Sequence, residues 1–192
     1  MKKEKTNLLT DTLLLRYYDI AHNTNEEIRP KLGDKINIFF YQARGIPSIS
    51  NKESAKMILK NGESVGKTLG DAYCHYAPLC PDTSENLGEL RNAKTKKDLD
   101  KNLIIKEFAG FMKNSYFGIL EIHSFGKGKL VLRIQECGEC FGLPIFDKSI
   151  CHFSLGLFSE FFGKLFNKKI KSYESKCVAK GDDFCEFVLK MS

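Results

Sequence analysis

The sequence predicts an α+β fold, an antiparallel sheet of about four to five strands with helices packed on it. Strand-like runs come in pairs joined by glycine-containing turns, 117–123 with 129–137 and 168–177 with 184–190. Longer segments with apolar residues at helical spacing separate these pairs, which argues for helices layered on hairpins. A chain of 192 residues makes one domain and can bury roughly 70% of the surface its unfolded form exposes. The expected core spans about 117–190, with an N-terminal helix, a strand and two long helices within 7–114 completing it.

Taken in order, Leu9, Leu13, Tyr17 and Ile20 recur at helical spacing, so the chain opens with an amphipathic helix that must pack on something. In 35–42, Ile36, Ile38 and Phe40 alternate with Asn37, Phe39 and Tyr41, a strand of β-branched and aromatic type. Ser50-Asn51-Lys52-Glu53 has the capping-box pattern. After it Ala55, Ile58, Leu59, Gly62, Val65, Gly66, Leu69, Gly70 and Tyr73 follow one helical stripe to about Cys74. Its glycines strip one face of side chains, so that another backbone or a ligand can approach closely. The polar, aperiodic stretch 80–92 is a surface loop. Thr95 opens a second long helix with Leu99, Leu103, Phe108, Phe111 and Met112 facing inward. The stretch 124–128 joins the first hairpin. A further helix over 153–167 carries Phe153, Leu157, Phe161 and Leu165 at i, i+4 spacing, and the last pair of strands turns about Gly181.

Composition excludes several functions. The 30 Lys+Arg and 24 Asp+Glu give a net charge of +6, but the basic residues are scattered lysines among acids, a solvated surface rather than a nucleic-acid footprint. No uncharged apolar run approaches the roughly 18 residues of a spanning helix, and acids interrupt the N-terminal leucines where a signal peptide would be apolar. A cytoplasmic protein is expected. Gly62-Glu63-Ser64-Val65-Gly66-Lys67-Thr68 is one residue short of a phosphate-binding loop and is flanked by helix, so no nucleotide site is expected. Gly126-Lys127-Gly128 precedes a strand, not a helix, so it is no dinucleotide fingerprint.

The cysteines are the main clue. In a reducing compartment, clustered Cys more often means metal or thiol chemistry than a covalent frame. Of 7, Cys137, Cys140, Cys151, Cys177 and Cys185 fall in the final third; Cys74 and Cys80 read as ordinary thiols. Cys177 and Cys185 stand symmetrically about Gly181, so a hairpin with its apex there sets them opposite each other, half of a metal site. Cys151 and Glu174 are available as the other two ligands of a tetrahedral zinc ion. Cys137-Gly138-Glu139-Cys140 is a C-x-x-C that can contribute instead. Glu174 and Cys177, three apart, share a side of the strand only if a bulge or strand end intervenes.

The string Cys151-His152-Phe153-Ser154-Leu155-Gly156-Leu157-Phe158-Ser159, followed by Glu174-Ser175-Lys176-Cys177-Val178-Ala179-Lys180-Gly181-Asp182-Asp183-Phe184-Cys185-Glu186-Phe187, resembles the 4-vinyl reductase domain family. Glu26 to Asp34 and the glycine-bearing helix are similar to the upstream part of archaeal-type, stand-alone members. The resemblance implies the ligand-binding fold shared with nitric-oxide-sensing haem domains and vesicle-tethering transport complex subunits. It further implies a pocket for a hydrophobic molecule or hydrocarbon, and often a homodimer. Its aromatic-sensing members imply a structural zinc on Cys151, Glu174, Cys177 and Cys185, one per chain. Phenol-sensing members hold the hydroxyl with a His and a Trp, and this chain has no Trp, which weakens the case for phenol.

Two functions follow. One is a binding or sensing module whose apolar pocket is lined by Phe117, Phe153, Leu157, Phe161 and Tyr173, acting through a partner such as a separate regulatory protein. The alternative, suggested by the family's name, is an accessory protein or reductase in reduction of a tetrapyrrole 4-vinyl group. That chemistry needs an electron donor, and no nicotinamide or flavin motif is visible, so binding is favoured over enzymatic turnover and no catalytic residue is assigned.

Overall fold

The computed structural model describes residues 29–32, 52–75, 101–143 and 145–192. The N-terminal helix, the strand at 35–42, the loop at 80–92, the start of the second helix and the side chains of Cys74, Cys80 and Leu103 lie outside the described residues.

The order is α1 (Lys52–His75), α2 (Lys101–Asn114), β1 (Ile119–Gly126), β2 (Lys129–Gln135), α3 (His152–Phe166), β3 (Ile170–Lys176), a 3-10 turn (Val178–Lys180) and β4 (Cys185–Met191). The strands form one antiparallel sheet in the order β1-β2-β4-β3. This is the α+β architecture that the hairpin pattern predicts. No described helix is long and apolar enough to cross a membrane.

The first hairpin is tighter than expected. Gly126 pairs with Lys129, leaving Lys127 and Gly128 as a two-residue turn, both at positive φ. Such a turn matches the right-handed twist of its strands, so β1 continues to Gly126 instead of stopping at His123. At the other end β2 stops at Gln135 because Glu136 takes a φ of 52°. That break removes Cys137 from the strand and places it in a turn. The Glu136 carboxylate then accepts the backbone N–H groups of Lys31 and Leu32, which fastens 29–32 to the sheet.

Helix α3 is buried on most of its circumference, as expected of a helix lying between two layers. Phe153, Leu157, Phe161 and Leu165 are all in the core, and Phe158 meets Phe187 of β4 edge to face. On its other side Phe161 stacks on Phe108 of α2 at 3.8 Å between centroids. Two residues expected to face inward do not: Phe111 is 43% and Val65 40% exposed, each at the margin of its helix's buried stripe. The segment 62–68 lies inside α1, so it is no phosphate loop.

The glycine face of α1 meets the backbone of α3. A Cβ added at Gly62 would stand 2.1 Å from the carbonyl oxygen of Phe153, and one at Gly66 2.3 Å from that of Leu157. Gly156 answers from α3, where a Cβ would stand 2.2 Å from the Leu59 carbonyl oxygen. Of the two expected occupants of that face, another backbone is the one found here.

Candidate metal centre

Five of the cysteines converge at one end of α3, brought there by four different elements. Cys137 and Cys140 sit in the turn after β2, where the N–H groups of Cys140 and Phe141 both donate to the Cys137 carbonyl. That helical turn carries the two side chains on one side. Cys151 is the residue capping α3. Cys185 opens β4. Cys177 follows the last residue of β3 and precedes the 3-10 turn, its N–H donating to Asp182.

The expected hairpin apex at Gly181 is thus built differently: Val178–Lys180 form a 3-10 turn that Gly181 closes at a φ of 94°. Cys177 and Cys185 still flank it. The bulge that Glu174 and Cys177 require is present, since the β3–β4 register shifts between Glu174 and Lys176. Ser175 is the extra residue, and its hydroxyl donates to Glu186.

The donors lie close enough to share an ion. Cys151 Sγ is 3.7 Å from Cys137 Sγ, 3.8 Å from Cys177 Sγ and 3.7 Å from Cys185 Sγ. A zinc–sulfur bond of about 2.3 Å in a tetrahedron puts neighbouring sulfurs about 3.8 Å apart. Two sets of four have all their ligand atoms within 4.8 Å of one another: Cys151, Glu174, Cys177 and Cys185, and Cys137, Cys140, Cys151 and Cys185. The cluster can therefore hold a metal ion, and all five cysteines are free of disulfide bonds.

Electrostatics point the same way. Burial, then the Cys177 thiolate, pushes the Glu174 carboxyl up to about 10. Its Oε2 accepts the Cys151 N–H, while its Oε1 is buried and has no hydrogen-bond partner among the described residues. Burial also pushes the Cys140, Cys151 and Cys185 thiols up, whereas neighbouring thiols, Cys140 foremost, pull Cys137 and Cys177 down. A group of buried thiols cannot all ionise without a compensating charge. A divalent cation removes this conflict and gives the orphaned carboxylate oxygen a partner, so the donor set fits zinc.

Glu139, inside the C-x-x-C, is a buried residue that the sequence reading passes over. Its carboxylate accepts the backbone N–H groups of Phe153 and Ser154 and the Ser154 hydroxyl, capping α3 from outside the helix. Burial pushes its carboxyl up to about 8. Nothing local in the sequence pairs residue 139 with 153, so only the fold discloses it.

Of the expected pocket residues, Phe117, Phe153, Leu157 and Phe161 belong to one buried cluster, with Phe117 and Phe153 6.0 Å apart between rings. Tyr173 is not brought to them. It is 46% exposed, with the Lys190 ammonium over its ring. Ser172, one residue earlier, bonds Ser159 of α3, so Tyr173 faces away from that helix.

Residues 130–191 match the family model of the 4-vinyl reductase domain, the family that the closing motif resembles, and this stretch belongs to that family. The chain spans little more than half the length of the curated relatives that it matches. An uncharacterized protein of Methanocaldococcus jannaschii, MJ0150, is 31% identical over 93 residues, which is 48% of this chain and 54% of that one. Among solved structures, the phenol-responsive sensory domain of the transcription activator PoxR with phenol has a TM-score of 0.58 at 11% identity, over 81% of this chain and 74% of that one. A trafficking protein particle complex subunit 3 from Naegleria fowleri, covalently bound to palmitic acid, has a TM-score of 0.55 at 14% identity, over 83% and 97%. At these identities the likeness is one of fold.

Proposed function

We propose that this chain binds a hydrophobic small molecule in the apolar layer between α3 and the sheet, and passes the signal to a partner without turning the molecule over. The observation that carries the reading is the Phe-rich face of α3: Phe153, Leu157 and Phe161, with Phe117 beside them, meet in one buried apolar cluster. Two proteins of the same fold, one with phenol and one covalently bound to palmitic acid, support an apolar or acyl ligand. A structural zinc on Cys151, Glu174, Cys177 and Cys185 fixes the end of that layer. Four protein ligands leave no open position, so the ion would supply rigidity, not a bound water. Thiols in this number stay available for metal in a reducing cytoplasm, where the reading places the protein.

Ligand that binds only the native state raises its stability by about 2.7 kcal/mol at one hundred times the dissociation constant. A thermal-shift screen of fatty acids, aromatics and tetrapyrroles is expected to yield at least one stabilising class, and Leu157→Trp, which fills the layer, is expected to abolish that shift. No shift from any class would leave the phenylalanines as core alone.

The same reading pairs two copies of the chain through the apolar N-terminal stripe of Leu9, Leu13 and Tyr17, since a two-fold contact buries such a patch twice. Sedimentation at micromolar concentration is expected to show a dimer. A single monomeric species would remove dimerisation from the proposal and leave ligand binding standing.

A further inference from the structure

We infer that the cysteine cluster is built for two zinc ions, not one, as a pair of four-coordinate sites sharing the Cys151 and Cys185 thiolates. This rests on the zinc reading above and extends it. One ion would take Glu174 and Cys177 with the shared pair; the second would take Cys137 and Cys140 with the same pair.

Five sulfurs and one carboxylate converge, while a tetrahedral ion uses four ligands. Whichever set a single ion took, two donors would be left over in the interior. If Cys137 and Cys140 are left, two thiols with no solvent exposure remain packed against anionic sulfur. If Glu174 and Cys177 are left, a carboxylate oxygen without a hydrogen-bond partner among the described residues stays orphaned. Unpaired buried polar groups are costly, and neither leftover pair has an evident way to avoid that cost.

Geometry then divides the six donors in a particular way. They fall into two groups of four that overlap in two members, Cys151 and Cys185. Two tetrahedra that share one edge need six donors, two of them common to both. The common sulfurs are 3.7 Å apart, close to the edge of about 3.8 Å expected for zinc thiolates. The remaining donors stand beside this edge in pairs of separate origin. Cys137 is 3.7 Å from Cys151 and Cys140 is 3.2 Å from Cys185, both from the turn after β2. Cys177 is 3.8 Å from Cys151 and comes with Glu174 from the bulged end of β3. Seating an ion among Cys137, Cys140, Cys151 and Cys185 would open the 3.2 Å approach by about half an ångström.

Charge is consistent with two ions. Five thiolates and a carboxylate against two divalent cations leave two net negative charges, no more than one cation with four of these donors would leave. The N-terminus of α3, which starts beside Cys151, favours that sign.

Native mass spectrometry and elemental analysis of the full chain, purified under reducing conditions with zinc supplied, test the inference. Two zinc ions per chain are expected. Cys137→Ser/Cys140→Ser and Glu174→Gln/Cys177→Ser are each expected to retain one. A wild-type chain carrying one zinc overturns the paired site. If that zinc survives Cys137→Ser/Cys140→Ser, the single site on Cys151, Glu174, Cys177 and Cys185 stands; if it is lost there and kept in Glu174→Gln/Cys177→Ser, that site falls as well. A chain with no zinc overturns both readings. Should a double variant fail to fold, the wild-type stoichiometry still decides.

Discussion

Replacing Cys185 with serine is expected to strip the chain of zinc and to lower its stability by about 3 kcal/mol or more, roughly 10 °C in melting temperature for a chain of this size. Cys185 belongs to both donor sets, so the outcome does not depend on which other residues complete them. Binding of structural zinc by small domains supplies about 10–16 kcal/mol, comparable with the whole stability of an ordinary domain at about 5–15 kcal/mol. A hydroxyl is a poor substitute for a thiolate on a soft-tolerant ion. The variant must also be distinguished from a mere polar substitution in the core, and the chelator response does so. Wild-type protein should melt at a lower temperature after chelation, whereas the variant should be indifferent to it. Full zinc content with an unchanged melting temperature in Cys185→Ser would dismiss the metal centre.

The site is legible in the sequence wherever its pattern is local. The i, i+4 phenylalanines of α3 and the paired strand runs are such patterns, and the fold follows them. The need for a bulge at β3 follows from the spacing of Glu174 and Cys177 alone, and the register shift lies between Glu174 and Lys176. Tyr173 is expected in the pocket although it neighbours Glu174, and adjacent strand residues point to opposite faces. Once Glu174 is assigned to the metal side, the strand's alternation sends Tyr173 outward, so this signal is present in the sequence. The position of Cys137 is not. It depends on Glu136 adopting a positive φ, which lets that carboxylate reach Lys31 and Leu32, about a hundred residues away in sequence. The partnership of Glu139 with the start of α3 is hidden for the same reason.

Gly156→Ala is expected to destabilise the protein by about 3 kcal/mol, against the direction helix propensity alone would give. In an exposed helix interior this change would gain about 1 kcal/mol. Here the new methyl would stand 2.2 Å from the Leu59 carbonyl oxygen and 2.7 Å from the Glu63 nitrogen, both backbone atoms of α1. Backbone cannot rotate out of the way as a side chain does, so α1 and α3 must separate. Separation uncouples the reciprocal contacts at Gly62 and Gly66 and loosens Ile58 and Leu157 in the core behind them. Gly110→Ala in α2 is the control, because a Cβ there meets nothing within 4 Å. It should leave stability unchanged or raise it by up to about 1 kcal/mol. Chemical denaturation of both variants reads the contrast directly. Equal, small effects at the two positions would mean that α1 does not pack on α3 through its glycine face.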